Sequence, residues 1–205
     1  IQMPGTDGIA LAGKIRDMDN YVDTPILMLT AMSEKDYIDA AFAAGATDYV
    51  TKPFEMFELK ARLALVERAF SEREARPTKI FAAQKVNPNQ GRGTPPIDLH
   101  NPVAIHDIEN LIDFMAFENY IRQLSRNDLF GSTAFAFTIR GIAHYHATMS
   151  PFEFYSVLTD VAEIISDTLG DGQFLMSYAG NGTFVCITEA GWQPDMKALG
   201  LSVNL

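Results

Sequence analysis

The sequence predicts two α/β units, the first built on a parallel sheet and the second a smaller α/β (α+β) domain. Three observations carry this. Short apolar runs each precede a helical stretch in the N-terminal part, at 25–30 then 33–44 and at 48–51 then 54–76. A proline- and glycine-rich stretch interrupts the middle. The C-terminal half holds a strand, a long amphipathic helix and a pair of apolar runs separated by a turn. At 205 residues the chain has room for one large domain or two small ones. Its 47% hydrophobic and 20% charged content is that of a globular protein and argues against a disordered one.

Pro25-Ile26-Leu27-Met28-Leu29-Thr30 lacks polar alternation, the mark of a strand covered on both faces. Ser33 is an N-cap candidate, with Glu34 and Asp36 in the first turn of the helix that follows, and Gly45 supplies its left-handed stop. Asp48-Tyr49-Val50-Thr51 forms a second strand, ended by Lys52-Pro53. A stripe at 56, 59, 63, 66 and 70 predicts a helix from Phe54 to about Arg76. Alternating strands and helices with short loops mean parallel βα units. Functional groups gather at the carboxyl ends of such strands, here Thr30-Ala31 and Thr51-Lys52-Pro53.

The chain is expected to divide into residues 1–76 with net charge −4, a linker at 77–102 with +2, and residues 103–205 with −8. Pro88, Pro95, Pro96 and Pro102 with Gly91 and Gly93 make 87–102 its least regular part. Residues 103–124 are mainly helical in pattern, breaking near Asp113; the acids with His106 would be a charged helix start. Thr133–Ile139 is a strand, with Phe135 and Phe137 read as core. Pro151–Leu169 is a helix with Phe154, Val157, Leu158, Val161, Ala162 and Ile165 on one face, closed by Gly170. Phe174–Ala179 and Thr183–Thr188 flank Gly180-Asn181-Gly182, a hairpin whose turn residues tolerate positive φ.

The formal net charge of −10, and −8 over 103–205 without a basic recognition helix, disfavour DNA as a partner. No run approaches the ~20 apolar residues that span a bilayer, and a cytoplasmic location is expected. The single cysteine, Cys186, excludes an intrachain disulfide and a multi-cysteine zinc site, and is read as a core residue. His144 and His146, two apart, would share one side of a strand; metal binding there lacks an evident third ligand. Asp160, Glu163 and Asp167 are read as a solvated helix face. Asp48 and Arg62 are read either as a pair across the last strand and helix or as a solvated surface pair.

Gln2-Met3-Pro4-Gly5-Thr6-Asp7-Gly8, then Leu29-Thr30-Ala31, then Gly45-Ala46-Thr47-Asp48-Tyr49-Val50-Thr51-Lys52-Pro53-Phe54 resemble, in order and spacing, the second half of a response-regulator receiver domain. The resemblance covers residues 1 to about 70 and implies a flavodoxin-like fold. It implies that Thr30 is the switch hydroxyl, Tyr49 the switch aromatic and Lys52 the invariant lysine, with Ala31 and Pro53 beside them. It places the phosphoacceptor aspartate one residue ahead of Ile1, and makes the backbone carbonyl of Gln2 a ligand of Mg²⁺, which the protein would hold only with the first half of the domain. That half carries the acid pair for the metal. Either residues precede Ile1, the favoured expectation, or the segment is a disabled remnant. An acyl phosphate needs a cation and hydrogen-bond donors, which Lys52 and Thr30 would supply. Movement of Thr30 would let the Tyr49 ring turn and remodel the helix at 33–44 and the one beginning near 55.

The second segment, over about 107–190, resembles a GGDEF domain, the module of diguanylate cyclases. Glu109–Phe117 is similar to that family's start, and Gly180-Asn181-Gly182-Thr183-Phe184 stands where Gly-Gly-Asp-Glu-Phe would be. Gly182 and Thr183 replace the acidic pair, Thr138 and Arg140 stand near the place of a metal-binding aspartate, and the product-inhibition motif would fall at Asp171 and Phe174 and is absent. Two-metal phosphoryl transfer needs those carboxylates.

The expectation is therefore a two-component response regulator, not an enzyme. Its receiver would take phosphate from a sensor histidine kinase or phosphotransfer protein and control a catalytically inactive GGDEF-like domain. A homodimer is expected, and nucleotide binding by the second domain is the weaker option. The alternatives are an active diguanylate cyclase with atypical metal ligands and a phosphorylation-independent scaffold.

Overall fold

The computed structural model describes residues 1, 3, 5–74, 96–126, 132–170 and 173–188. Most of the expected linker at 77–102, together with Gln2 and Asp171, lies outside them. The chain forms two compact units: residues 1–79 with 115–128, and residues 80–114 with 129–205.

The first unit opens with α1 (Gly8–Arg16), a helix that the apolar pattern alone did not announce. Asp7 caps it, accepting from the amides of Ile9 and Ala10 at 2.8 and 2.9 Å. At its other end the Arg16 guanidinium donates to the carbonyls of Gly45 and Thr24, tying the start of one strand to the turn before the next. Gly45 has φ +92°, and a Cβ there would lie 2.6 Å from the Arg16 side chain. β1 (Leu27–Thr30) pairs in parallel with β2 (Asp48–Thr51), Leu27 opposite Asp48 and Thr30 opposite Thr51. Between them runs α2 (Lys35–Ala43), which buries Ile38, Ala41 and Phe42. Its N-cap is Glu34 and not Ser33, because the Ser33 amide itself bonds the Glu34 carboxylate. α3 (Met56–Glu74) follows.

Coverage of this sheet is uneven. Asp48, Tyr49 and Val50 are all buried, whereas Leu29 is 40% exposed, so β1 is not covered on both faces as its apolar run predicts. The α3 stripe shows the same thing: Val66 is buried while Met56 and Leu63 face out.

The unit is completed by α4 (Phe114–Arg126), which joins it from Met115 onward. The predicted helix over 103–124 is thus confined to its last part. Residues ahead of it are irregular, with Asp107 and Asn110 at positive φ, and are not the charged helix start expected.

In the second unit β3 (Ala134–Thr138) pairs antiparallel with β5 (Thr183–Thr188), which pairs antiparallel with β4 (Phe174–Gly180), giving the order β3-β5-β4. α5 (Ile142–Thr148) and α6 (Pro151–Leu169) lie between β3 and β4 in the chain. α6 begins at a capping box, Ser150 and Glu153 each bonding the other's backbone amide, with Pro151 in the first turn. It buries Phe154, Leu158, Ala162 and Ile165 in one core with Phe174, Met176, Phe184 and Cys186. Each such side chain contributes roughly 1.5–3 kcal/mol. Phe135 and Phe137 pack against this core and meet each other edge to face at 5.7 Å. Asp160, Glu163 and Asp167 are exposed, on the solvated face expected of them. Residues 110–112 add a short parallel pairing to β4, with Ile112 donating to Met176 and Met176 to Asn110. No helix among the described residues is long and apolar enough to cross a membrane.

Candidate functional site

At the carboxyl ends of β1 and β2 the Lys52 amide donates to the Thr30 carbonyl, which holds the two strand ends together. Thr30 is buried, and its hydroxyl accepts from the Met32 amide at 3.1 Å. That oxygen still has a proton to donate. Tyr49, two residues earlier on β2 than Thr51, is fully buried and its hydroxyl donates to the Met32 carbonyl at 2.8 Å. Burial, reinforced by the nearby Glu34 charge, pushes the Tyr49 phenol up to about 12 despite a bond with Thr30. Thr30, Tyr49 and the loop after β1 therefore form one hydrogen-bonded unit. Ala31, Lys52 and Pro53 are exposed beside it, and among the described residues nothing pairs with the Lys52 ammonium. The arrangement offers a hydroxyl and an exposed cation to an anion at the strand ends.

These five residues come together as their spacing predicts. Gln2 is outside the described residues. No cluster of three or more His, Cys, Asp or Glu that would hold a metal ion exists among the described residues. Mg²⁺ prefers several oxygen ligands including carboxylate, so the side chains around Thr30 and Lys52 do not by themselves make its site.

Asp48 is buried and Arg62 half-buried against it, so the pair is not a solvated surface bridge. Arg62 Nη1 donates to both Asp48 oxygens at 2.8 and 2.9 Å, and its other nitrogens reach Glu58. Burial opposes the Arg62 charge, yet the bonds to Asp48 and Glu58 outweigh it and raise its pKa. The Asp48 carboxylate also accepts from the Tyr49 amide.

Pattern reading missed the partners of β2's outer edge. Asn119 donates to the Thr47 carbonyl at 3.0 Å and Gln123 to the Tyr49 carbonyl at 2.5 Å. The Tyr120 hydroxyl donates to Asp39 at 2.9 Å, and its ring meets Phe42 edge to face at 5.4 Å. The amphipathic run at 114–126 was visible as a helix, but nothing in its apolar period names what its polar members bond.

In the second unit the turn Gly180-Asn181-Gly182-Thr183-Phe184 is closed by its own chain. Asn181 donates its amide to Leu99, and its side chain contacts His100 at 2.7 Å. A Cβ on Gly180 would lie 2.6 Å from the His100 carbonyl, and one on Gly182 2.7 Å from Ile142. The Gly182 amide donates to the Tyr178 hydroxyl inside the core. Thr138 and Arg140 are exposed. His144 and His146 lie on the helix α5 and not on a strand; His146 bonds the Ile97 carbonyl and packs on Phe154. Burial pushes the Cys186 thiol up to about 12, as befits a core residue.

Residues 1–64 match the family model of the response regulator receiver domain. This stretch is receiver sequence. A phosphate regulon transcriptional regulatory protein, PhoB, from Pseudomonas aeruginosa is 48% identical over 66 residues, 32% of this chain and 29% of the relative. The transcriptional regulatory protein KdpE of Staphylococcus aureus is 41% identical over 66 residues, 32% and 27% of the two chains. The DNA-binding transcriptional regulator NtrC of Escherichia coli is 42% identical over 71 residues, 35% of this chain and 14% of the relative. The chain thus spans under a third of the length of these relatives, and the similarity lies in the receiver. Thr30, Tyr49 and Lys52 all fall within the matched residues.

Proposed function

We propose that the chain belongs to a two-component response regulator in which the receiver controls a GGDEF-like output domain that binds and does not catalyse. The observation that carries the first half is the bonding of Tyr49 to the loop that follows Thr30, beside the exposed Lys52 ammonium. A phosphoryl group passing from a kinase phosphohistidine to a carboxylate breaks an N–P bond and forms an O–P bond. The product's oxygens need a cation and a donor, the roles of Lys52 and Thr30. If Thr30 turns its hydroxyl to the phosphoryl group, the Met32 amide loses its acceptor, and the Tyr49 bond to the same residue is disturbed with it. The carboxylate's place in the family is one residue ahead of Ile1. Mg²⁺, when bound in a receiver, neutralises phosphoryl charge; the residues described here do not hold it.

The GGDEF-like reading draws support from the order β3-β5-β4 with the hairpin turn at its expected place. The absence of cyclase chemistry draws support from the closure of that turn by Leu99, His100 and Ile142. Homodimerisation and nucleotide binding by the second unit are secondary parts of the proposal, as is a histidine kinase or phosphotransfer protein as donor.

The test is phosphorylation of the whole native protein by a small acyl-phosphate donor with Mg²⁺, read by intact mass. Gain of one phosphoryl group, slowed at least tenfold in Lys52→Ala, is the expected result. No gain would favour the phosphorylation-independent scaffold. GTP turnover with Mg²⁺ or Mn²⁺ would overturn the non-catalytic half in favour of a cyclase with atypical ligands.

A further inference from the structure

Asn181-Gly182 is the one Asn-Gly pair in the sequence, and it stands at the tip of the β4–β5 hairpin. Such a pair carries chemistry of its own. A following glycine puts no side chain in the way when its backbone nitrogen attacks the asparagine amide carbon. The Gly182 nitrogen gives up its proton to a solvent base and bonds to Asn181 Cγ. The Cγ–Nδ2 bond breaks, and Nδ2 takes up a proton and leaves as ammonia. Water then opens the cyclic imide at either carbonyl, leaving aspartate or its isoaspartyl isomer.

The two reacting groups stand in different surroundings. Asn181 is exposed, at φ +52°, so water reaches its side chain. Gly182 is buried, and its N–H donates to the Tyr178 hydroxyl at 3.0 Å. Burial raises the Tyr178 phenol above its ordinary range, so it keeps its proton and is no base for that amide. The nucleophile is therefore held with its proton on. The electrophile is held by residues 97–101, which lie over the turn as a strap. The Leu99 carbonyl accepts from the Asn181 amide at 2.7 Å, and His100 Nδ1 donates to Asn181 Oδ1 at 2.7 Å, because that oxygen only accepts. The His100 bond also polarises Cγ, but a polarised carbon without a free nucleophile does not react. The strap is moored in turn, since Ile97 is buried in the core and its carbonyl accepts from His146 on α5 at 2.6 Å. Asp98 accepts from the His100 amide and from Asn101, which sets the bend of the strap.

We propose that Asn181-Gly182 is a self-modification site that the 97–101 strap keeps unreacted, and that reaction, once it occurs, bars the strap from closing again. The bar follows from the packing. The isoaspartyl product places one more carbon in the backbone between 181 and 182. A Cβ on Gly180 would already lie 2.6 Å from the His100 carbonyl, and one on Gly182 2.7 Å from Ile142, so the turn has no room for it. Loss of ammonia makes the change one-way. It acts on the last part of the expected linker and needs neither ligand nor partner.

The whole native chain, held at mildly alkaline pH with and without urea, tests this by peptide mass at 181–182, where NH2 gives way to OH. Conversion is expected to be at least tenfold slower in the folded protein than in urea. His100→Ala, a change at an exposed residue, is expected to quicken conversion of the folded protein at least threefold. Tyr178→Phe, which deletes the acceptor of the Gly182 amide, is expected to quicken it at least tenfold; if that variant does not fold, His100→Ala carries the test. In isoaspartyl protein separated from the unreacted chain, the amide of residue 181 is expected to exchange with solvent at least tenfold faster. Equal rates with and without urea, a His100→Ala that is slower or unchanged, or a converted protein with that amide still protected would overturn the proposal.

Discussion

The strand-end site of the first unit and the hairpin turn of the second both sit where α/β proteins place chemistry, and they are built in opposite ways. In the first, side chains do the work: Thr30 and Tyr49 are buried and bonded to the same loop residue, and Lys52 stands exposed with its charge available. In the second, the backbone does it. Gly180, Asn181 and Gly182 all have positive φ, and neighbouring chain lies against the glycines where side chains would project. A site that keeps its reactive groups retains a loop able to rearrange. A turn made by positive-φ backbone presents a shape, and here that shape is filled by neighbouring chain.

The sharpest way to break this comparison is to add carbon to the turn. Gly180→Ala places a Cβ against the His100 carbonyl, which is backbone and cannot swing aside, at φ +93°. The expected cost is about 2–3 kcal/mol, read as a drop in the urea midpoint of the second unit. Gly182→Asp combined with Thr183→Glu, which introduces the two acids that the GGDEF-like proposal finds replaced, is expected to destabilise the turn through Ile142 and to yield no GTP turnover. Turnover in that variant would show that the turn opens and that only the carboxylates were missing.

A change of the opposite kind probes the first unit. Arg62→Met leaves the Asp48 carboxylate buried without its bidentate partner. Removing one member of a buried pair costs about 3 kcal/mol, and here about 1–2 kcal/mol is expected, because Arg62 is only half-buried and the Tyr49 amide still donates to Asp48. Chemical denaturation followed at Tyr49 would show it. A loss under about 1 kcal/mol would mean that the pair behaves as a surface bridge.

How much of this was readable from residue order depends on the kind of constraint. β2, α6 and the β4–β5 hairpin are set by local signals, namely a short apolar run, a capped amphipathic stretch and a positive-φ turn, and their predicted and observed limits nearly coincide. That Thr30 and Lys52 stand at neighbouring strand ends was legible because strand ends follow from register, while Tyr49 was singled out by the resemblance alone. α1 was not legible, since it is short, contains Gly8 and Gly13, and its apolar residues do not fall on one helical stripe, so its start rests on the Asp7 cap. The strand expected for His144 and His146 gave way to a helix because Gly141, at φ +72°, ends the strand early and opens α5. The docking of Asn119 and Gln123 was beyond reach, because their partners are backbone carbonyls about seventy residues away and a carbonyl has no letter of its own.

The smallest predicted effect separates the two units by titration. Tyr49 in the first and Cys186 in the second each carry a pKa of about 12, raised by burial from ordinary values of 10 and 9. Below the ordinary value both folded and unfolded chains keep the proton, and the stabilisation is fully present. As pH rises above it the unfolded chain ionises first, so the unfolded state binds fewer protons and stability falls until the folded group ionises near 12. The second unit is therefore expected to begin losing stability from about pH 9 through Cys186, and more steeply from about pH 10, where Tyr178, also raised by burial, adds its own proton. The first is expected to begin from about pH 10 through Tyr49. Tyr49→Phe is expected to lessen the alkaline slope of the first unit only, and Cys186→Val that of the second only, leaving there the part carried by Tyr178. Urea midpoints between pH 8 and 11 measure both. Equal slopes in wild type and variant would mean that the phenol and the thiol reach water in the folded protein, and for Tyr49 that the loop at 31–34 already stands open.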